Sequence, residues 1–138
     1  MKKPSISIII PVFNGKGLID RCLSSIFSSN IETSFEVIVV DDGSTDLTEA
    51  AVGSFPCKLI KVKRGGAAAA RNLGIRNSSG DILFFFDADV QLKNDTIKRF
   101  LKHFSEDADT KIIQGRWDKH SPSKGFSCRF FLLKYTYN

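Results

Sequence analysis

The stretch Ile82-Leu83-Phe84-Phe85-Phe86-Asp87-Ala88-Asp89 joins five apolar residues to two carboxylates that are two positions apart. An apolar run of this length favours a strand buried on both faces, as in parallel sheets covered by helices. Two carboxylates at the end of such a strand suit Mg²⁺ or Mn²⁺, because these cations prefer oxygen ligands. The alternative is that Asp87 and Asp89 only end the strand and face water.

Strand-length apolar runs alternate with segments of helical period along the rest of the chain. The pattern predicts strands at 5–12, 35–40, 58–62, 82–86 and 111–114, and helices at 18–27, about 44–52, 67–76 and 94–104. Ser44 or Thr45 would cap the second helix. This alternation predicts a three-layer α/β/α sandwich with a mostly parallel, Rossmann-like sheet. Ligands bind such sheets beyond the carboxyl ends of the strands, so the residues at those ends are the candidates for a site.

Polar or glycine-containing segments follow the other predicted strands. The first strand leads into Pro11-Val12-Phe13-Asn14-Gly15, the second ends at Asp41-Asp42-Gly43-Ser44, and the third leads to Gly65-Gly66. A carboxylate at a strand end can accept a hydrogen bond from a nucleobase or a hydroxyl, but the two aspartates could equally form only a turn and a helix cap. The glycines could let main-chain N–H groups approach phosphate or form a flexible turn. No Lys-Ser/Thr pair follows them, which excludes a Walker A loop.

Arg71 lies on the predicted helix 67–76, directly after four alanines. Small side chains let a helix approach another backbone or a ligand closely, which would bring the guanidinium to the sheet edge. The alternative is a solvated cation on an exposed helix face.

Length and charge limit the class of protein. The 138 residues predict about one domain with a core of its own. The net charge of +5 belongs to the end of the chain, because residues 1–110 hold equal numbers of acids and bases while residues 111–138 hold six bases and one acid. That distribution does not indicate a nucleic-acid partner. The three cysteines have neither metal-ligand spacing nor a paired framework, which predicts reduced thiols in a cytosolic protein.

Four segments carry a resemblance to a known family: SIIIPVFNG (7–15), EVIVVDDGSTD (36–46), GGAAAARNLGI (65–75) and SGDILFFFDADV (79–90). In order and separation, over residues 5–92, they resemble the N-terminal half of family 2 glycosyltransferases, which have the GT-A fold. Each segment alone is a weak signal, whereas four in the same order are specific.

The resemblance implies a donor site for a nucleotide-diphospho-sugar, expected to be UDP-linked, with Mg²⁺ or Mn²⁺ as cofactor. It implies that Asp41 accepts a hydrogen bond from the base, that Asp87 lies near the ribose, and that Asp89 reaches the metal, with Asp87 as a second metal ligand. Asp42 would either contact the donor or cap the following helix. The substrate-binding residues expected from the resemblance are Pro11, Val12, Phe13, Asn14, Asp41, Asp42, Gly66, Arg71, Asp87, Ala88 and Asp89.

The resemblance also implies an inverting reaction, in which an Asp or Glu downstream of Asp89 deprotonates the hydroxyl of a saccharide or lipid-linked acceptor. None of the remaining downstream acids has the position expected for this general base: Asp107, Asp109 and Asp118. We therefore expect a chain truncated before the base, which binds donor but lacks efficient transfer.

The end of the chain is basic and aromatic. Four apolar residues there recur at the spacing of an amphipathic helix: Phe126, Phe130, Leu133 and Tyr137. Such a helix would pack against protein, or would make a peripheral membrane contact through residues 124–138. This pattern divides the chain into a donor-binding core at 1–115 and a segment at 116–138 that begins an acceptor-side region.

Three functions are compatible with acids at the ends of parallel strands. The favoured one is a metal-dependent glycosyltransferase, expected in the cytoplasm or at the inner face of the membrane. The second is a non-catalytic nucleotide-binding or interaction module. A phosphoryl-transfer domain would require acids after the first strand, where this chain has Pro-Val-Phe-Asn.

Overall fold

The computed structural model describes residues 5–115 and the backbone of residues 130–134. Ten elements follow one another along the chain: β1 (Ile6–Val12), α1 (Leu18–Phe27), β2 (Phe35–Asp41), α2 (Thr48–Val52), β3 (Lys58–Lys61), α3 (Ala67–Arg76), β4 (Ile82–Phe85), α4 (Thr96–Glu106), β5 (Ile112–Gly115) and β6 (Phe130–Lys134).

The strands form one six-stranded sheet in the order β3-β2-β1-β4-β6-β5. Strands β1, β2, β3 and β4 pair in parallel, whereas β6 runs antiparallel to both β4 and β5. Strand order reverses at β1, which has β2 on one side and β4 on the other. Ligands bind open α/β sheets at such a switch point, outside the carboxyl ends of the strands.

Helices cover both faces of this sheet, which confirms the predicted three-layer α/β sandwich. The larger core lies under α1, α2 and α4, where Ile8, Ile10 and Phe84 are fully buried. The second face is covered by α3, whose Ala70 packs on Ile38 and Val40. Full burial of each Ile or Phe side chain contributes about 1.5–3 kcal/mol, so the parallel strands are held by apolar contacts on both sides.

Helix α3 lies very close to β1 because Gly74 faces the strand. A Cβ added at Gly74 would lie 2.4 Å from Ile9 Cγ2, which is less than any real contact. The predicted close approach of this helix to a backbone is therefore observed, but Gly74 and Ala70 make it, while Ala67, Ala68 and Ala69 remain exposed.

Two local predictions are wrong. Helix α2 begins at Thr48 with no side-chain cap, so Ser44 and Thr45 do not cap it. The amphipathic helix predicted for the end of the chain is contradicted at Phe130 and Leu133, which belong to strand β6. Residues 116–129 and 135–138 lie outside the described residues, so Phe126 and Tyr137 of that pattern do too.

Strand β6 joins the sheet because the outer edge of β4 has unpaired main-chain groups that need hydrogen-bond partners. Leu83 of β4 pairs with Leu133, and Phe85 pairs with Phe131. Thus a strand from beyond residue 115 is inserted between β4 and β5. The domain boundary placed after residue 115 stays a prediction. Within the described residues, no helix has the length and apolar content needed to cross a membrane.

Candidate donor-binding edge

The loops after β1 and β2 are tied together by Asn14. The Asn14 N–H donates to Ser44 Oγ at 2.9 Å, and Asn14 Oδ1 accepts from the Thr45 N–H at 2.8 Å. Asn14 has a φ of 48°, a left-handed conformation that asparagine tolerates better than most residues. Ser44 and Thr45, predicted as helix caps, therefore fix the exit of β1 instead.

The end of β1 itself is buried. Pro11 and Val12 are the last two residues of the strand, and both are buried in the sheet, so a ligand could meet only their main chain and the rim of their side chains. Phe13, in contrast, is 42% exposed beyond the strand. Gly15 comes next and packs too tightly for any side chain, since an added Cβ would lie 2.4 Å from Val12 Cγ2.

Asp41 is buried at the carboxyl end of β2, in register with Val12. Its Oδ1 accepts a hydrogen bond from the Ser44 N–H at 2.9 Å, which closes the turn. Within residues 5–115, its Oδ2 accepts no hydrogen bond. A buried carboxylate oxygen usually has a partner, so this atom retains the capacity to accept a hydrogen bond from a ligand.

Asp42, the residue next to Asp41, binds main-chain N–H groups with both carboxylate oxygens. Its Oδ1 accepts from the Gly65 N–H at 2.7 Å, and its Oδ2 accepts from the Gly66 N–H at 2.9 Å. Gly66 is the N-cap residue of α3, with a φ of 95°. Asp42 therefore holds the entrance of α3, and the expectation that it caps the following helix α2 is wrong.

The loop after β4 carries the two carboxylates of the Asp-Ala-Asp segment. Asp87 Oδ1 accepts from Arg71 Nη2 of α3 at 2.6 Å, in an ion pair that is about one-third exposed. Ala88 is half-buried, and its Cβ is 3.8 Å from the position of a Cβ added at Gly15. Asp89 is exposed. The loops after β1 and β4 thus meet across the switch point of the sheet.

Cys22 of α1 is buried next to the loop that carries both carboxylates. Burial, together with the smaller effect of the negative charges of Asp89 and Asp87, raises the pKa of its thiol to about 12. The thiol also approaches the Asp87 carbonyl oxygen at 3.8 Å. The Cys22 thiol therefore packs against the main chain of the loop that carries both carboxylates.

Arg71 borders an open cleft of about 250 Å³ between α3 and the end of β4, lined by Ala68, Arg71, Asn72, Ile75 and Phe85. The small side chain of Ala68 leaves this space free next to the ion pair with Asp87. The predicted alternative of a solvated Arg71 is therefore wrong, because its guanidinium has a fixed partner at the sheet edge.

The donor atoms present suit a divalent cation that shares its ligands with a substrate. Among the described residues, no group of three His, Cys, Asp or Glu side chains could hold a metal by itself. Mg²⁺ commonly takes only one or two carboxylates and completes its shell with water and phosphate oxygens. Asp87 and Asp89 match that arrangement, with Arg71 competing for one Asp87 oxygen.

That Phe13 and Arg64 stack on each other was not predicted from the sequence. The Arg64 Cζ lies 3.3 Å from the centroid of the Phe13 ring, at the mouth of the edge. The two residues are 51 positions apart and belong to the loops after β1 and β3. No local pattern pairs them, and the only sequence signal is a basic residue directly before Gly65-Gly66.

Residues 7–129 match the family model described as Glycosyl transferase family 2. A 39% identical relative, Glycosyltransferase AglE from Haloferax volcanii, aligns over 70% of this chain and 34% of its own length. S. aureus TarS 1-349 in complex with UDP-GlcNAc superimposes with a TM-score of 0.72 and 26% identity, over 88% of this chain and 38% of that one. Mannosyltransferase PcManGT from Pyrobaculum calidifontis, in complex with GDP-Man and Mn²⁺, gives a TM-score of 0.71 and 30% identity, over 81% and 35%. The chain thus spans about a third of the length of these proteins.

Proposed function

The chain belongs to glycosyl transferase family 2 and has the GT-A fold. On this premise we propose that it binds a nucleotide-diphospho-sugar, UDP-linked, at the carboxyl edge of its sheet and serves the transfer of the sugar to an acceptor hydroxyl. The observation that carries the proposal is the meeting of the loops after β1, β2 and β4 at one switch point, with acids from two of them. A solved neighbour that binds UDP-GlcNAc supports the choice of donor.

In this proposal, the loops after β1 and β2 bind the base and ribose; we call them the β1–β2 half of the edge. Asp41 accepts a base N–H with the carboxylate oxygen that no described residue occupies. The main chain of Pro11, Val12 and Asn14 lines the same half at the end of β1. The Asn14 side chain itself is bound to Thr45. Phe13 borders the same half with a side chain that is 42% exposed, and Arg64 covers one face of its ring.

The loops after β1 and β4, the β1–β4 half of the edge, bind the ribose and diphosphate. Asp87 lies towards the ribose, Ala88 provides main chain at the floor, and Asp89 with Asp87 holds the metal, Mg²⁺ or Mn²⁺. When bound, such a cation stabilises the negative charge on the leaving diphosphate as a Lewis acid. Arg71 adds a second positive charge and positions Asp87, while Gly66 and Asp42 fix the entrance of the helix that carries Arg71.

An inverting reaction also needs a base for the acceptor hydroxyl. Asp107 accepts hydrogen bonds from the Asp109 N–H and from the Thr110 hydroxyl, so it is committed to the turn between α4 and β5. That turn precedes β5, which places both acids at the amino edge of the sheet, opposite the donor. Asp118 lies outside the described residues. We therefore assign the base, and the site for a saccharide or lipid-linked acceptor, to neither Asp107 nor Asp109.

The free thiols of Cys22 and Cys57 fit a reducing compartment, which supports activity in the cytoplasm, where the inner face of the membrane could supply a lipid-linked acceptor.

Calorimetric titration with UDP, GDP and ADP, each with and without Mn²⁺, tests the proposal. We expect UDP to bind preferentially, binding to strengthen with Mn²⁺, and Asp89→Ala to abolish the strengthening. Asp109→Ala is the matched control, since it removes an exposed carboxylate at the opposite edge. Equal binding of all three nucleotides with no metal effect would contradict the proposal. UDP binding without release of UDP from a UDP-sugar would instead favour the non-catalytic module.

A further inference from the structure

The stacked pair of Phe13 and Arg64 lies outside the core, so packing of the fold does not explain why the two side chains stack. Both side chains are exposed, and 3.3 Å between Cζ and the ring centroid is the contact distance of two flat groups lying face to face. An exposed cation–π pair stabilises a protein by only about 0.5–1 kcal/mol. That contribution to stability is small, so the position of the pair at the mouth of the candidate site is the feature that bears on function.

Two contacts hold the Arg64 main chain, one with Gly43 and one through the next residue, Gly65. Gly43, with a φ of 84°, lies so close that an added Cβ would be 3.0 Å from the Arg64 nitrogen. The next residue, Gly65, donates its N–H to Asp42. The turn after β2 thus holds the main chain of Arg64 in place, and the Phe13 ring packs against one face of its guanidinium.

The guanidinium carries an unpaired charge within the described part of the chain, where Arg64 forms no salt bridge. Its position is the β1–β2 half of the edge, next to the turn that contains Asp41. The other arginine of the edge, Arg71, is in the β1–β4 half with Asp87. The two cations therefore lie in different halves of the edge.

We propose that Arg64 is a nucleobase-binding residue, whose guanidinium plane stacks on the donor base with the face turned away from Phe13. Bases stack on arginine planes as well as on aromatic rings, and a guanidinium already held flat loses little rotamer freedom on binding. The base would then form the third layer of a stack built on Phe13. This inference rests on the proposed donor site and adds to it a residue that selects for a flat base.

Paired titrations with uridine and UDP, followed by NMR chemical shifts, test the inference. Arg64→Ala should weaken uridine and UDP by the same factor, about five- to thirtyfold, because the lost contact is to the base that both share. Arg64→Lys should lose most of that affinity as well, since lysine keeps the charge but not the plane. Lys63→Ala removes the adjacent exposed cation and should leave uridine binding within about twofold. Phe13→Leu should weaken uridine less than Arg64→Ala does.

Each other outcome overturns a defined part of the reasoning. If Arg64→Ala weakens UDP but not uridine, the guanidinium contacts phosphate, and the stacking inference is wrong while the donor site stands. Wild-type affinity in Arg64→Lys would show that charge alone matters, with the same consequence. If the wild-type chain binds neither uridine nor UDP, the proposed function fails together with the inference. Thermal unfolding of each variant confirms that an exposed substitution has left the fold intact.

Discussion

Replacing Asp42 with asparagine would separate its role in holding α3 from any contact with substrate. In the wild type, both carboxylate oxygens accept main-chain hydrogen bonds, at 2.7 Å from the Gly65 N–H and 2.9 Å from the Gly66 N–H, and the residue is only 4% exposed. Asparagine has almost the same shape but keeps one acceptor, so its NH₂ group must face a main-chain N–H. A donor then meets a donor in a buried place.

The cost follows from these two bonds. A hydrogen bond to a charged group contributes about 1.5–3 kcal/mol, and an unsatisfied buried N–H costs about 1–3 kcal/mol. The carboxylate also lies at the N-terminus of α3, where a negative charge is favoured by about 0.3–1 kcal/mol. We therefore expect Asp42→Asn to lower the free energy of unfolding by about 2–4 kcal/mol. That is a large part of the stability of a domain of this size.

Urea unfolding measures the loss, and amide hydrogen exchange at Gly65 and Gly66 locates it. The control is Asp109→Asn, an isosteric change at an exposed carboxylate, which should stay within about 0.5 kcal/mol of the wild type. An Asp42→Asn protein with wild-type stability and unchanged exchange at both glycine amides would refute the reasoning. Exchange that increases only at Gly65 and Gly66, with little global loss, would mean that the loop opens locally without unfolding α3.

Three further changes test other parts of the structure. Arg71→Gln removes the cation that competes for Asp87, so the affinity for Mn²⁺ alone, measured by electron paramagnetic resonance, should rise several-fold; no rise would contradict the competition. Burial acts to raise the pKa of Glu36, but hydrogen bonds from Ser7 and from Ser79, with the charge of Lys58, outweigh it and lower that pKa. The resulting stability is present above the unfolded-state pKa and lost as pH falls through the lowered folded-state pKa, so urea unfolding should show Glu36→Gln less stable than wild type at about pH 7 and the gap closing near about pH 3. Gly80→Ala would put a Cβ 2.5 Å from the Ser7 nitrogen, and because main chain cannot move aside, urea unfolding should show a loss of about 3 kcal/mol; a loss below about 1 kcal/mol would show that the turn adapts.

Local patterns in the sequence predicted the layers of the fold well, because burial acts at the scale of one strand or helix. Strand β1 and helices α1 and α3 were predicted to within one residue at each end. The end of the chain failed for a physical reason. Residues 130–134 have apolar spacing that fits a helix, but their conformation is set by pairing with β4, almost 50 positions away. A period of hydrophobicity carries no information about such a partner.

The side-chain contacts between loops at the edge could not be predicted from local sequence patterns, for a related reason. Ser44 and Thr45 have the residue types of helix caps, yet their partner is Asn14, about 30 positions earlier. The pairing of Phe13 with Arg64 likewise joins loops that only the sheet order brings together. The sequence could therefore predict which loops meet, from the rule for parallel sheets, but not which side chains in them bind each other.

The two adjacent aspartates at the end of β2 have different roles, one in ligand binding and the other in the fold. Side chains alternate along a strand, so Asp41 shares the face of Val12 and α1, whereas Asp42 faces α3. The N–H groups of Gly65 and Gly66, just before α3, each bind one oxygen of Asp42. Asp41 accepts a single N–H, from Ser44, and so keeps an unused acceptor among the described residues. Ligand binding needs acceptor capacity that the fold has not already used. Asp41 has it, and Asp42 instead stabilises the loop in which Arg64 is held and the helix on which Arg71 is carried.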